Sequence, residues 1–200
     1  MGLRTAMVTI VLVAELLPSL AFATNLPGDL DLTFGTNGFN TATSGSSDSN
    51  VALAIDGSGK IVAGGYATIG GTSVFNVTRY LTSGALDTSF GTGGDTDVTP
   101  GTNDSINAIT QDSAGNILAA GHATIGGNYV FALARYLPSG ALDTSFGSNG
   151  FVTTSLGTHA DFNAISVGSN GKIIAAGVAI VGGTIEFALA RYLPSGTLDS

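Results

Sequence analysis

The sequence predicts an all-β chain of tandem four-stranded antiparallel sheets, and two observations predict it. A unit recurs every 56 residues without a gap, marked by Leu30-Asp31-Leu32-Thr33-Phe34-Gly35, Leu86-Asp87-Thr88-Ser89-Phe90-Gly91 and Leu142-Asp143-Thr144-Ser145-Phe146-Gly147, and it opens again as Leu198-Asp199-Ser200. After residue 23 no stretch sustains the i, i+3, i+4, i+7 apolar spacing of an amphipathic helix, whereas short apolar runs bounded by glycine turns recur in every unit.

Each element follows from its composition. Residues 51–56, 107–112 and 163–168 are short and rich in β-branched side chains, which suit a pleated strand. A turn follows that ends each time on glycine: Gly59, Gly115 and Gly171. The second strand covers 60–67, 116–123 and 172–179 and carries small residues at its centre (Gly64-Gly65, Ala120-Gly121, Ala176-Gly177). Small residues inside an apolar strand mark close approach of another backbone, so this strand is expected near a crowded axis. The glycine pairs Gly70-Gly71, Gly126-Gly127 and Gly182-Gly183 predict a hairpin with positive φ at both centres. The third strand ends in Arg79-Tyr80-Leu81, Arg135-Tyr136-Leu137 and Arg191-Tyr192-Leu193. A Ser-Gly turn, the hexapeptide and a variable fourth strand such as 151–154 complete the unit. The hexapeptide reads as the corner that hands the chain to the next sheet, with Phe34, Phe90 and Phe146 packed inward.

These strands are apolar on both faces, and such strands are buried on both faces. One small sheet cannot achieve that alone, so the sheets must stack on one another. A helix-free repeat of this length matches the blades of a β-propeller better than a solenoid. The units fall near 28–83, 84–139 and 140–195, with a fourth begun at 196–200. Propellers use roughly 4–8 blades, so about three blades leave open apolar faces, and the break inside a motif at Ser200 predicts further 56-residue units in a longer reading frame.

Residues 1–23 read as a secretory signal peptide, with Arg4 in the n-region, an apolar core to Leu17 and Ala21-Phe22-Ala23 as the cleavage site. No later run approaches the ~18 apolar residues of a membrane helix, so no membrane insertion is expected. The net charge is −8, and loss of Arg4 and Glu15 with the leader leaves it unchanged. Five cations after the leader cannot neutralise a phosphate backbone, which argues against nucleic acid as a partner. The absence of cysteine excludes disulfides, thiolate metal sites and cysteine nucleophiles.

The unit Leu-Asp-x-[Ser/Thr]-Phe-Gly, the Gly-Lys-Ile-like hairpin and Arg-Tyr-Leu-x-Ser-Gly resemble the delta-60 repeat over about residues 28–200. The resemblance implies a bacterial, exported or cell-surface protein with a propeller-like fold and uncharacterised function. It supplies no catalytic residues.

The in-phase acids Asp31, Asp87, Asp143 and Asp199 and the in-phase bases Arg79, Arg135 and Arg191 are expected to be structural. Each arginine fork is to pair a motif aspartate or loop carbonyls. Gly57-Ser58-Gly59-Lys60 lacks the first glycine and the final Ser/Thr of a phosphate loop and reads as a hairpin. Asp95 and Asp97 stand at the alternate positions of a calcium turn but do not recur, which favours a surface loop. His122 and His159 occupy positions not shared between units and show no partner set in the sequence. No catalytic residue, cofactor site or metal site is therefore expected. The predicted function is an exported non-catalytic repeat scaffold or module that binds a protein or glycan. The alternative is a propeller enzyme, lyase- or lactonase-like, which needs non-repeated His, Glu or Asp at inner-strand ends, where the sequence offers Gly, Ala and Ile.

Overall fold

A computed structural model describes residues 27–200, and the predicted leader lies outside the described residues. The chain divides after Asp31. Residues 27–31 are an exposed turn and lead-in, with Asp31 among them, and Leu32–Ser200 form the second unit.

That unit holds eleven strands among the described residues: β1 Asp48–Ile55, β2 Ile61–Ile69, β3 Thr72–Tyr80, β4 Asp95–Val98, β5 Ser105–Gln111, β6 Ile117–Ile125, β7 Asn128–Tyr136, β8 Phe151–Thr154, β9 His159–Val167, β10 Ile173–Val181 and β11 Thr184–Tyr192. Strands β1 to β4 form one four-stranded antiparallel blade. Strands β5 to β8 repeat it, and β9 to β11 begin a third. One parallel pairing, Tyr129 with His159, joins the second and third blades into a continuous sheet. The fold is the all-β, blade-repeat architecture that the 56-residue period predicts.

The predicted hairpins are in place. Gly70 and Gly71 have φ of 60° and 84°, as a two-residue loop that matches the right-handed twist of its strands requires. Each first strand carries a β-bulge, at Asn50/Ala52, Ile106/Ala108 and opposite Ala176/Gly177. The central glycine of the second strand faces that bulge: a Cβ on Gly65 would lie 1.7 Å from Ser49 O, and one on Gly121 2.0 Å from Ser105 O. The close backbone is thus the paired strand within the blade. The first strands of successive blades also meet, β1 against β5 and β5 against β9.

A correction concerns the hexapeptide. It lies between the third and fourth strands of one blade, because the chain beyond Gly91 turns back to pair Val98 with Phe75. The blade-to-blade connections are 99–104 and 155–158. Two apolar layers hold the blades together. Val62, Phe75, Val77 and Phe90 pack against Ile117, Ala119, Ala132 and Tyr136 between the first two blades. Leu118, Phe131, Leu133 and Phe146 pack against Phe162, Ile173, Ala175 and Tyr192 between the second and third.

Candidate functional site

The repeated charges come together at the hexapeptide. Arg79 Nε donates to Asp87 Oδ2 at 2.8 Å, and the other carboxylate oxygen accepts Ser89 Oγ and N at 2.6 and 3.2 Å. The guanidinium carbon lies 4.5 Å from the centroid of Phe90, which is fully buried. Its Nη1 donates at 2.6 Å to the carbonyl of Pro138, in the next unit. The second corner repeats this: Arg135 to Asp143 at 2.8 Å, Arg135 over Phe146 at 4.7 Å, and Arg135 Nη1 to Pro194 O at 2.6 Å. In the third, Arg191 Nε donates to Asp199 at 2.6 Å. Gly91 N also donates to Ser139 O and Gly147 N to Ser195 O, so the first two corners each clip their blade to the following one. Gly35 N donates to Ser83 O in the same way, beside a half-buried Phe34.

Lys60, which ends the Gly-Ser-Gly hairpin, points into this corner. Its Nζ lies 2.8 Å from Asp87, and Lys172 repeats the contact with Asp199. Lys60 and then Ser89 hold the Asp87 carboxyl well below the usual carboxylate range. Asp143, which has no lysine, is lowered chiefly by Ser145. Asp87 and Arg79 are both buried, and the cation and carboxylate answer each other there.

Asp95 and Asp97 lie on β4 and share one donor: Asn76 Nδ2 reaches their Oδ1 atoms at 2.6 and 2.9 Å. A neutral amide thus occupies the place between the carboxylates that a cation would take. Among the described residues no group of three or more His, Asp or Glu side chains gathers to hold a metal ion.

The two histidines do have partners, contrary to the sequence reading. His122 stacks on Tyr129 with centroids 4.4 Å apart and planes 7° from parallel, and Tyr129 in turn meets His159 at 4.6 Å. His122 Nδ1 lies 3.2 Å from Asp161 Oδ1, which also accepts Asn107 Nδ2 at 2.6 Å. Asn107 donates as well to Phe162 O at 2.9 Å, tying β5 to β9. The first strands begin earlier than their β-branched segments suggest, at Asp48, Ser105 and His159. Their polar starts are what the sequence reading left in loops, and inner-strand ends do carry non-repeated His and Asp.

The equivalent place between the first and second blades is built differently. Fifty-six residues before His122, Tyr129 and His159 stand Tyr66, Ser73 and Asn103. Ser73 has no ring, and a hollow of about 400 Å³ opens there, lined by Tyr66, Ser73, Asn103, Ser105, His122 and Tyr129 among others. Asn103, at φ 72°, turns its Nδ2 to Tyr129 OH at 2.9 Å. Buried Asp104 is spent on the backbone, accepting Gly101 N and Thr124 N at 3.0 and 3.4 Å.

Stacked antiparallel blades with an Arg–Asp corner at every repeat define a β-propeller repeat protein. Residues 57–90, 115–146 and 168–200 match the family described as domain of unknown function (DUF5122) beta-propeller. No curated protein matches the chain. Each matched segment runs from the first turn to the hexapeptide and so contains a complete Arg–Asp corner. It leaves out most of the first strands and the connections before them, where Asn103, His159 and Asp161 lie.

Proposed function

We propose that the chain is an exported, non-catalytic repeat scaffold that binds a protein or glycan on the face where the first strands begin. The observation that carries this reading is the fate of the charges. Every described arginine and lysine is committed to a motif aspartate, and two of the arginines also to a carbonyl of the next unit. The residues that break the repeat instead gather beside an open, polar and aromatic hollow. Repeated side chains serve the repeated packing, and the exceptions are free to serve a ligand. The leader pattern of residues 1–23 and the delta-60 resemblance support export to the medium or cell surface.

The enzymatic alternative draws on His122 and Asp161. Against it, the His122 ring lies flat on Tyr129 and the Asp161 carboxylate is shared with Asn107, so both are tied into the joint between blades. A glycan array and a pull-down from the surrounding surface proteome, run on the full chain, test the reading. Reproducible capture of a defined glycan or protein is expected. Turnover of a polysaccharide or lactone that is lost with His122→Ala would replace it with the enzymatic one.

A further inference from the structure

We infer that the hollow between the first and second blades is a slot for a neutral pyranose ring, which would lie on Tyr66 as Tyr129 lies on His122. This deepens the binding-module reading and rests on it. The molecule carries its own template for an occupied slot. Between the second and third blades the ring of Tyr129 meets both histidines, stacked on His122 at 4.4 Å and tilted by 32° against His159 at 4.6 Å. Between the first and second blades the backbone repeats the arrangement, with Asp104 N donating to Ser73 O at 2.9 Å where Tyr129 pairs with His159. Only the side chains differ. Tyr66 takes the place of His122, Ser73 that of Tyr129 and Asn103 that of His159. One ring is therefore missing from a site that Tyr66 lines, and about 400 Å³ stays open. That lies within the ~300–1,000 Å³ of pockets that hold small ligands.

The lining selects the class of ring. Tyr66 lines the hollow, and an aromatic face attracts the slightly positive C–H groups on one side of a sugar. Besides a second ring, Tyr129, and the Asp104 carboxylate, the lining is hydroxyl, amide and imidazole, including Ser73, Ser105, Asn103 and His122. They offer both donors and acceptors to a hydroxyl-bearing edge. A flat aromatic ligand would instead leave those groups unpaired, which is costly. No lysine or arginine lines the slot, so it offers an acidic sugar no counter-charge. The Asp104 carboxylate is already satisfied by Gly101 and Thr124.

The test uses the full chain with methyl pyranosides of gluco, galacto and manno configuration, and with p-cresol, read by saturation-transfer NMR. At least one pyranoside is expected to bind and p-cresol not to compete. Ser73→Tyr, which installs the side chain that the second blade carries at this position, is expected to abolish the signal with an unchanged unfolding midpoint. Tyr66→Ala is expected to weaken binding at least ~10-fold and checks the aromatic contact independently. Absence of pyranoside binding, preference for p-cresol, or binding untouched by Ser73→Tyr overturns the slot. If array or pull-down capture persists in Ser73→Tyr, the slot falls while the binding module stands. If both the array and the pull-down are blank, the two fall together.

Discussion

The second and third blades carry Phe and Leu at two equivalent positions and put them in opposite environments. Phe131 is 2% exposed and Phe187 101%; Leu133 is 0% exposed and Leu189 75%. Sheet and register are alike, with Phe131 facing His122 on β6 and Phe187 facing Val178 on β10. What differs among the described residues is that Phe131 meets the following blade, where it stacks on Phe162 with centroids 3.9 Å apart. Burial in this fold is therefore decided by the neighbouring blade and not by the strand that carries the residue. Stability resides in the joints.

The largest expected effect follows directly. Phe131→Ala should cost ~3–5 kcal/mol, the usual cost of emptying a filled aromatic site. Phe187→Ala should stay within ~0.5 kcal/mol, as surface changes do. Urea denaturation of the two variants measures both, and equal losses would break the comparison. The arginines should show the same contrast at smaller scale. The Arg135 side chain is 14% exposed and that of Arg191 54%. Arg135→Ala should cost ~1–3 kcal/mol by leaving Asp143 and the Pro194 carbonyl without their donor. Arg191→Ala should cost under ~1 kcal/mol, as for an exposed ion pair.

A smaller difference separates the two joints themselves. Tyr192 OH donates to Thr154 Oγ1 at 2.9 Å. Tyr136 OH, at the equivalent place, is buried with no partner among the described residues, because Val98 stands where Thr154 does. Val98→Thr should therefore stabilise the chain by ~0.5–1.5 kcal/mol, read as a raised urea midpoint. Loss of stability would mean that the buried hydroxyl is satisfied in another way.

The corner carboxylates should set the acid limit. Asp87 and Asp143 are held below their ordinary range in the folded chain, by Lys60 and Ser145 respectively as the leading partners. A depressed carboxylate contributes stability that is present above its unfolded pKa of ~3.9 and is lost as pH falls through the folded value. The unfolding midpoint should be level near neutrality and should fall below about pH 4. The Asp143 corner should fail at higher pH than the Asp87 corner. A midpoint that falls already between pH 7 and 5 would point to other groups.

The repeat made much of this legible. Glycine pairs announced the hairpins, and the in-phase arginine and aspartate announced a pairing at every corner. A period of 56 residues with strands apolar on both faces implied stacked blades. The candidate site was not legible in the same way, since repetition finds only what repeats. His122 and Asp161 are 39 positions apart and meet through a bulge and a blade contact that no period reveals. Asn76, which bridges Asp95 and Asp97, belongs to an apolar run and carries no signal of its own. The signal that would have found the slot was the column of aligned exceptions, Tyr66, His122 and Val178 beside Ser73, Tyr129 and Ile185.

The corner clips also constrain how such a chain can change length. Gly91 reaches Ser139, Gly147 reaches Ser195, and Arg79 and Arg135 each reach a carbonyl 59 residues onward. Adding or removing a whole 56-residue unit leaves every one of these bonds a partner of the same kind. A gain or loss of a residue inside a strand that carries a clip shifts its register and breaks two bonds at once. Variation by whole blades is thus nearly neutral and a change of length within the strands that carry the clips is penalised, whereas a surface connection such as 99–104, which carries Asn103 to the edge of the slot, can change length without moving either end of a clip.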